Sequence, residues 1–181
     1  YRVAWGIFMT SEVKRLSTRE LNELFISSLA DAVNSHSDIA KKPLVLDLCK
    51  PYPRTIKLRV YLFNCTNPPG GRSPDEYKSQ IIVPGQVRGC RGQLDFSDDC
   101  IVILSAYASM GGTNEEGIFV LWDAMKHESF AYSANIQIKA DVLYDALVHH
   151  VSEAVRDNSE IVYAARPKYL LEAVCRRIET A

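Results

Sequence analysis

The sequence contains no hydrophobic run that approaches the roughly 18 residues of a membrane-spanning helix, so no contact with a membrane is expected. Closely spaced cysteine pairs are missing too. The five cysteines are odd in number, and no C-x-x-C pair occurs among them. This pattern argues against a zinc site and is typical of reduced thiols in a cytoplasmic protein. No metal and no cofactor is therefore predicted for the leading hypothesis given below.

Motifs of several large enzyme classes are absent as well. The four histidines show no H-E-x-x-H spacing, and neither a G-x-S-x-G elbow nor a phosphate-binding P-loop occurs. Positive charge is not in excess, because 21 Lys and Arg residues face 22 Asp and Glu residues, which gives a net charge of −1. A strongly basic coat that binds nucleic acid by bulk charge is excluded, whereas a local basic face is not.

The 181 residues fit a single globular domain. Because the chain begins with Tyr rather than Met, we expect residues 1–181 to be a single domain that is excised from, or followed by, a larger protein. A first helix is predicted over 18–34, since Ser17 and Glu20 form a capping box and apolar residues then recur at helical spacing.

Four strands are predicted in the middle of the chain. Alternating residues in Thr55–Cys65 indicate a strand with one buried face, and Tyr77–Val83 indicates a second strand. The apolar runs Cys100–Tyr107 and Ile118–Trp122 are typical of buried strands. Short connections between the four strands favour a curved, antiparallel or mixed sheet.

The last third of the chain is predicted to be mainly helical. Apolar residues from Val142 to Val155 recur at helical spacing and predict one long helix over about 140–157, with His149 and His150 inside it. A short strand, Glu160–Ala165, and a final helix that begins near Pro167 follow. The predicted fold class is α+β: a curved, mostly antiparallel sheet flanked by an N-terminal helix and two C-terminal helices.

Charge is concentrated in the middle of the chain. Residues 54–91, the basic segment, hold seven positive and two negative side chains, and residues 92–123, the acidic segment, hold six negative and no positive ones. Cations in exposed, glycine-rich loops suit contacts with the DNA backbone or groove. The DNA-binding candidates are Arg54, Arg72, Lys78, Arg88 and Arg91. The alternative interpretation is that the cations pair with the adjacent acids across strands.

A polar and aromatic stretch, residues 122–135, follows the last of these buried strands. Its aromatic rings can stack on bases, and a carboxylate can accept a hydrogen bond from the amino group of cytosine. The base-pocket candidates are Trp122, Asp123, Tyr132, Ser133 and Asn135. Alternatively, the aromatic residues anchor the loop in the core and Asp123 caps a turn.

A magnesium-dependent nuclease of the PD-(D/E)xK type is a second hypothesis. Such enzymes hold Mg²⁺ with carboxylates beside a lysine on neighbouring strands. Asp123, Gln137 and Lys139 have a suitable spacing, with Gln137 in the usual acidic position. Glu76 and Lys78 form another acid-x-Lys match, although short matches of this kind arise readily by chance.

Several segments together resemble the DNA-recognition modules of bacterial modification-dependent and McrBC-type restriction systems. The resemblance spans roughly residues 55–180 and lies in Tyr61–Asn64, Arg72–Lys78, Phe119–Asp123, His127, Phe130–Ser133 and Ile161–Arg166. It implies a module that reads a DNA sequence or a modified base in double-stranded DNA, methylated or not. It also implies an attached nuclease or NTPase domain or subunit, with the cutting done outside this module.

The leading hypothesis is therefore a DNA-binding domain of a bacterial restriction or defence protein that reads DNA without catalysis. The nuclease is the first alternative, and it alone would need Mg²⁺. A third possibility is a protein-interaction domain whose acidic segment meets a partner. EDTA separates the first two classes, because a nuclease loses its activity whereas a reader keeps its binding. The DNA affinity of a reader falls steeply with salt, whereas an interaction domain has no affinity for DNA.

Overall fold

The first helix begins where the capping box predicts. The computed structural model describes residues 15–67, 73, 75–110 and 116–180, and in it α1 spans Thr18–Leu29. The Ser17 hydroxyl accepts from the Glu20 N–H at 3.2 Å, and the Glu20 carboxylate accepts from the Ser17 N–H at 2.7 Å. The predicted extension to residue 34 is wrong. Ala30 turns the chain at φ 50°, and Val33–His36 pair with the next strand instead.

Eleven strands occur among the described residues. They are β1 (Val33–His36), β2 (Leu44–Leu48), β3 (Ile56–Cys65), β4 (Glu76–Ile81), β5 (Gly92–Gln93), β6 (Ile101–Ala108), β7 (Ile118–Trp122), β8 (Ser129–Phe130), β9 (Ala134–Lys139), β10 (Val151–Val155) and β11 (Ile161–Ala165). Seven of them form the main sheet, in the order β1-β2-β3-β6-β7-β11-β10. Only β3 and β6 pair in parallel, so the predicted α+β class with a mostly antiparallel sheet is confirmed.

The main sheet is covered on both faces. Helix α1 and the last helix, α3 (Leu170–Glu179), pack on one face through residues such as Phe25 and Val174. The second helix, α2 (Ala140–Val148), packs on the other face together with a two-stranded ribbon of β4 and β9. Since β3 lies between these layers, its residues 58–63 are all buried, and the single buried face predicted for it is wrong.

The long helix predicted over 140–157 is also wrong. Helix α2 ends at Val148, and the rest of the segment turns back as β10, which pairs with β11. His149 and His150 lie in the exposed turn between them, not within a helix. The apolar residues have a helical spacing, but Val151–Val155 pair with β11 as the last strand of the main sheet. Such tertiary pairing overrides the local preference for a helix.

The remaining predicted elements are confirmed with small shifts at their ends. Pro167 begins a short 3-10 turn, Pro167–Tyr169, that leads into α3. Within the described part of the chain, no helix is long and apolar enough to cross a membrane. All five cysteines are free thiols.

Candidate functional site

The β4–β9 ribbon carries several of the predicted site residues on its outer face. Ile136 and Ile138 point into the core, and strand alternation therefore turns Asn135, Gln137 and Lys139 outward. Across the ribbon, Lys78 stands opposite Gln137, Gln80 opposite Asn135, and Glu76 opposite Lys139. One part of the ribbon thus presents amides and a lysine, while its other end has Glu76 opposite Lys139.

A cavity of about 300 Å³, here named the charged cavity, lies between this ribbon, the start of α1 and the end of β3. Three cations line it: Arg15, Lys42 and Lys78. No described lining residue is acidic. The other lining residues are Leu16, Thr18, Leu21, Phe63, Asn64, Thr66, Gln80, Ile82 and Asn135. An anion is the complementary ligand for such a lining.

Lys42 is the most confined of the three cations. Its Nζ lies 4.0 Å from the centroid of the Phe63 ring, and burial lowers its pKa to about 8. Asn64 beside it fixes the chain that enters α1, since its amide donates to the Leu16 carbonyl at 2.8 Å and accepts from the Leu16 N–H at 2.9 Å. Among the described residues Lys42 has no acidic partner, so its charge is held by the ring alone.

Two loops adjoin the end of the ribbon at which Ile81 pairs with Ala134: one follows β4 and the other precedes β9. Strand β5 pairs with β8, and the Nε of Arg91 donates to the Ser129 hydroxyl at 3.0 Å. Arg88 is exposed in the loop after β4 and makes no ion pair with a described residue. Tyr132 and Ser133 form the turn before β9, where Ser133 has φ 58°. Arg88, Arg91, Tyr132 and Ser133 therefore lie in segments that adjoin this end of the ribbon, whereas Lys78 and Asn135 lie on the ribbon and line the charged cavity.

Other predicted site residues lie elsewhere. Arg54 precedes β3, whereas Phe63 and Thr66 at the other end of this strand line the charged cavity, a separation of about 30 Å for ten extended residues. Arg72 lies outside the described residues. The Trp122 ring is fully buried and its Nε1 donates to the Gln137 carbonyl at 3.3 Å, so it offers no accessible face to a base.

Asp123 has the geometry of a turn cap. Its Oδ1 accepts from the Met125 N–H at 3.1 Å, at the start of the 3-10 turn Ala124–His127. Turn capping is the role that the sequence analysis gave as the alternative to base reading. The carboxylate does not line the charged cavity.

The alternative of internal charge pairing is confirmed for one cation of the basic segment. Arg59 is buried, and its guanidinium lies 3.3 Å from the carboxylate oxygens of both Asp95 and Asp98. It also donates to the carbonyl groups of Asp95 and Ser97 at 2.8 and 3.0 Å. Arg59 therefore anchors the acidic segment and is not free for a ligand.

A buried polar network was not predicted. Glu160 is fully buried, with one carboxylate oxygen 2.8 Å from Nε2 of His127 and the other 2.8 Å from Arg156. It also accepts from the Asp123 N–H at 3.1 Å. Burial by itself raises the pKa of Glu160, but the hydrogen bond and charge of His127, together with Asp123 and Arg156, lower it below its usual range. Nothing in the sequence pattern marks Glu160, because its partners meet only in the folded chain.

A second cavity, here named the acidic groove, has a volume of about 820 Å³ and lies between the ribbon and β10. Its charged lining residues are Asp75, Glu76, Lys139, Asp141, Arg156 and Asp157. Gln137 and Lys139 of the nuclease hypothesis line it, but Asp123 does not. Within the described residues, no group of three or more His, Cys, Asp and Glu side chains is arranged to hold a metal ion.

Residues 56–174 match the family described as Methylase-associated X1. The chain belongs to this family. No curated protein and no solved structure matches the chain. The description of the Methylase-associated X1 family supports an association with restriction–modification systems, which is the broader part of the expectation from sequence. It specifies neither a McrBC-type module nor a choice between binding and cutting DNA.

Proposed function

We propose that this Methylase-associated X1 chain is a DNA-recognition domain of a restriction–modification system, which binds duplex DNA without cutting it. The observation that carries the proposal is the charged cavity, where Arg15, Lys42 and Lys78 meet with no described carboxylate. A backbone phosphate supplies the missing negative charge. The chain then works with a nuclease or NTPase domain or subunit, and the cutting is done outside this chain. The whole system is proposed to be cytoplasmic.

The surroundings of the charged cavity support a duplex rather than a small anion. Arg88 and Arg91 extend the positive surface beyond it, on loops at the same end of the ribbon. Contacts of this kind position a protein on DNA and do not read sequence. Reading of a base, modified or not, is assigned to Asn135, which lines the charged cavity, and to Tyr132 and Ser133 in the turn before it.

The nuclease hypothesis has less support from the geometry. A carboxylate that binds Mg²⁺ has to share a site with the second ligand and the lysine. Asp123 caps the turn after β7, whereas Gln137 and Lys139 line the acidic groove. The same purified chain, incubated with Mg²⁺ and plasmid DNA, is expected to leave the DNA intact. Cleavage that is lost in Lys139→Ala would favour the nuclease.

Equilibrium binding to labelled duplexes in EDTA tests the proposal. Unmodified, methylated and hydroxymethylated duplexes of one sequence are compared over a range of salt concentrations. Lys78→Gln is expected to weaken binding to all of them and to reduce the salt slope by about one, because one phosphate contact is lost. Lys57→Gln is the matched control, since Lys57 is exposed near the start of β3, far from the charged cavity.

Two results would overturn the proposal. One is a wild-type chain with no salt-dependent affinity for any duplex. The other is equal weakening by Lys78→Gln and Lys57→Gln, because a diffuse charge effect would then explain the binding without the charged cavity.

A further inference from the structure

Strand β10 forms an open edge of the main sheet. It pairs with β11 on one side, and none of the described strands pairs with its other side. The Arg156 N–H donates to the Glu160 carbonyl at 2.8 Å, which fixes the phase of the ladder. Because bonded pairs alternate in an antiparallel ladder, the backbone groups of Val151, Glu153 and Val155 point away from β11.

Strand β1, at the opposite edge of the sheet, differs from β10 in that it is protected against pairing with another chain. Strand β1 has four residues, all exposed after Val33, and an irregular register between Val33 and Ser35. Short, polar and irregular edges resist pairing with other chains. Strand β10 has a regular register over five residue pairs, and Val155 on it is 68% exposed. No described residue pairs with its outward backbone groups, so within the described part of the chain they are open to a further strand.

The acidic groove lies beside this open edge. Ala154 and Val155 of β10 line one wall, and Ile138 and Val142 add apolar surface. Lining acids outnumber lining cations by four to two, and both cations have nearby acids. Arg156 binds Glu160 at 2.8 Å, and Lys139 stands across the ribbon from Glu76. A hydrogen bond from the Ser73 hydroxyl keeps the pKa of Asp75 below its usual range, so that this acid stays charged at neutral pH.

We propose that β10 is a docking edge for an extended segment of a partner protein, in which apolar residues alternate with Lys or Arg. The segment adds to β10 as a further antiparallel or parallel strand, which is a common mode of peptide recognition. Because alternate side chains of an added strand point to opposite faces, its cations lie on the groove side and face Asp75, Asp141 and Asp157. Its apolar side chains lie on the other face, the side on which Val151 packs.

Charge favours this occupant over a second copy of the chain. A symmetric antiparallel pair of β10 strands centred on Glu153 would place the two Glu153 side chains opposite each other. Like charges directly opposite across strands are destabilising. A basic segment, in contrast, is complementary to the neighbouring acidic groove. The proposal concerns the acidic side of the molecule and is independent of the charged cavity.

A labelled peptide that alternates Val and Lys over about eight residues, the length of an ordinary strand, is the probe. It is titrated with the full chain, and a peptide that alternates Val and Glu is the comparison. Saturable binding of the Val/Lys peptide alone is expected. Glu153→Pro removes one outward N–H without breaking the ladder to β11, and proline is tolerated on edges of this kind.

Glu153→Ala is the matched control for Glu153→Pro, because it removes the same charge but keeps the N–H. We expect Glu153→Pro to bind the Val/Lys peptide at least about tenfold more weakly than Glu153→Ala, a loss of roughly 1.4 kcal/mol. Duplex binding should be the same in both variants. A failure of the proposed DNA binding would therefore not affect this result, and the two proposals are tested separately.

Asp141→Asn combined with Asp157→Asn provides a second test that does not depend on a proline. These exposed residues can change without loss of a buried contact, and the double variant should weaken peptide binding severalfold. The proposal is overturned if the Val/Glu peptide binds as well as the Val/Lys peptide, or if neither binds. It is also overturned if the chain dimerises and Glu153→Pro dissociates the dimer, since a second copy would then be the occupant.

Discussion

The ammonium of Lys42 lies 4.0 Å from the centroid of the Phe63 ring, in the wall of the charged cavity. A cation over an aromatic face is stabilised by about 0.5–2 kcal/mol, less than a buried charge needs for full compensation. Burial accordingly lowers the pKa of Lys42 to about 8. A bound phosphate would supply the counter-charge that the described residues do not.

The first prediction concerns pH. The pKa of Lys42 is near 8, so affinity for duplex DNA should fall as pH rises from about 7 to about 9, because the deprotonated amine loses its attraction for phosphate. Lys42→Arg, which remains charged throughout this range, should remove most of that dependence. Binding titrations at constant salt measure the effect, and an identical pH profile for both proteins would count against the role of Lys42.

The stability of the chain without DNA should also depend on the protonation of Lys42. It should rise with pH, whereas the DNA affinity falls. Between pH 8 and the ordinary value of 10.5, the folded state binds fewer protons at Lys42 than the unfolded state does. The free energy of unfolding should therefore rise with pH across that window in the wild type more than in Lys42→Met. Denaturant titrations at several pH values test this, and parallel curves for the two proteins would contradict it.

A further prediction concerns the exposed arginines at the end of the ribbon. Arg88→Ala combined with Arg91→Ala should weaken binding to every duplex and reduce the salt slope by about one to two, since phosphate contacts are lost without loss of base reading. Arg54→Ala is the matched control, because Arg54 lies at the other end of β3. A larger loss in the control than in the double variant would locate the DNA elsewhere.

Asp123 offers a test of capping against base reading. The Met125 N–H donates to its side chain, so Asp123→Ala should lower the free energy of unfolding by about 1 kcal/mol, while Asp123→Asn, which also caps, should lower it little. Neither change should alter discrimination between duplexes. Thermal unfolding and competition binding provide the two measurements. Relaxed discrimination in Asp123→Asn would instead restore the base-reading role considered from sequence.

The last prediction concerns Glu160. Its folded-state pKa is lowered, so its stabilising effect is present above the ordinary carboxyl pKa and is lost as pH falls through the folded value. Glu160→Gln should destabilise the chain by about 1–3 kcal/mol at neutral pH, because charged hydrogen bonds to His127 and Arg156 are weakened. The difference from wild type should shrink in acid. Glu153→Gln, at an exposed position, is the matched control.

The sequence by itself determined those elements whose structure depends on residues close together in the chain. The capping box at Ser17 and Glu20 marked the start of α1, and uninterrupted apolar runs marked β6 and β7 as buried strands. The excess of positive charge in the basic segment drew attention to Lys78, which lines the charged cavity, and to Arg88 and Arg91, which lie between β4 and β5. The place of Lys78 beside two other cations could not be read from its spacing.

Only the tertiary structure decided which side chains meet. The segment Val151–Val155 has a spacing that suits a helix, but it becomes a strand because β11 offers a partner for its backbone. Lys42 and Lys78 meet Arg15 in one cavity because α1, β3 and the ribbon converge there from distant parts of the chain. Periodicity and charge are properties of neighbours in sequence, whereas burial, counter-charges and strand partners depend on residues far apart. Such distant contacts place Lys42 over the Phe63 ring and bring Glu160 to His127.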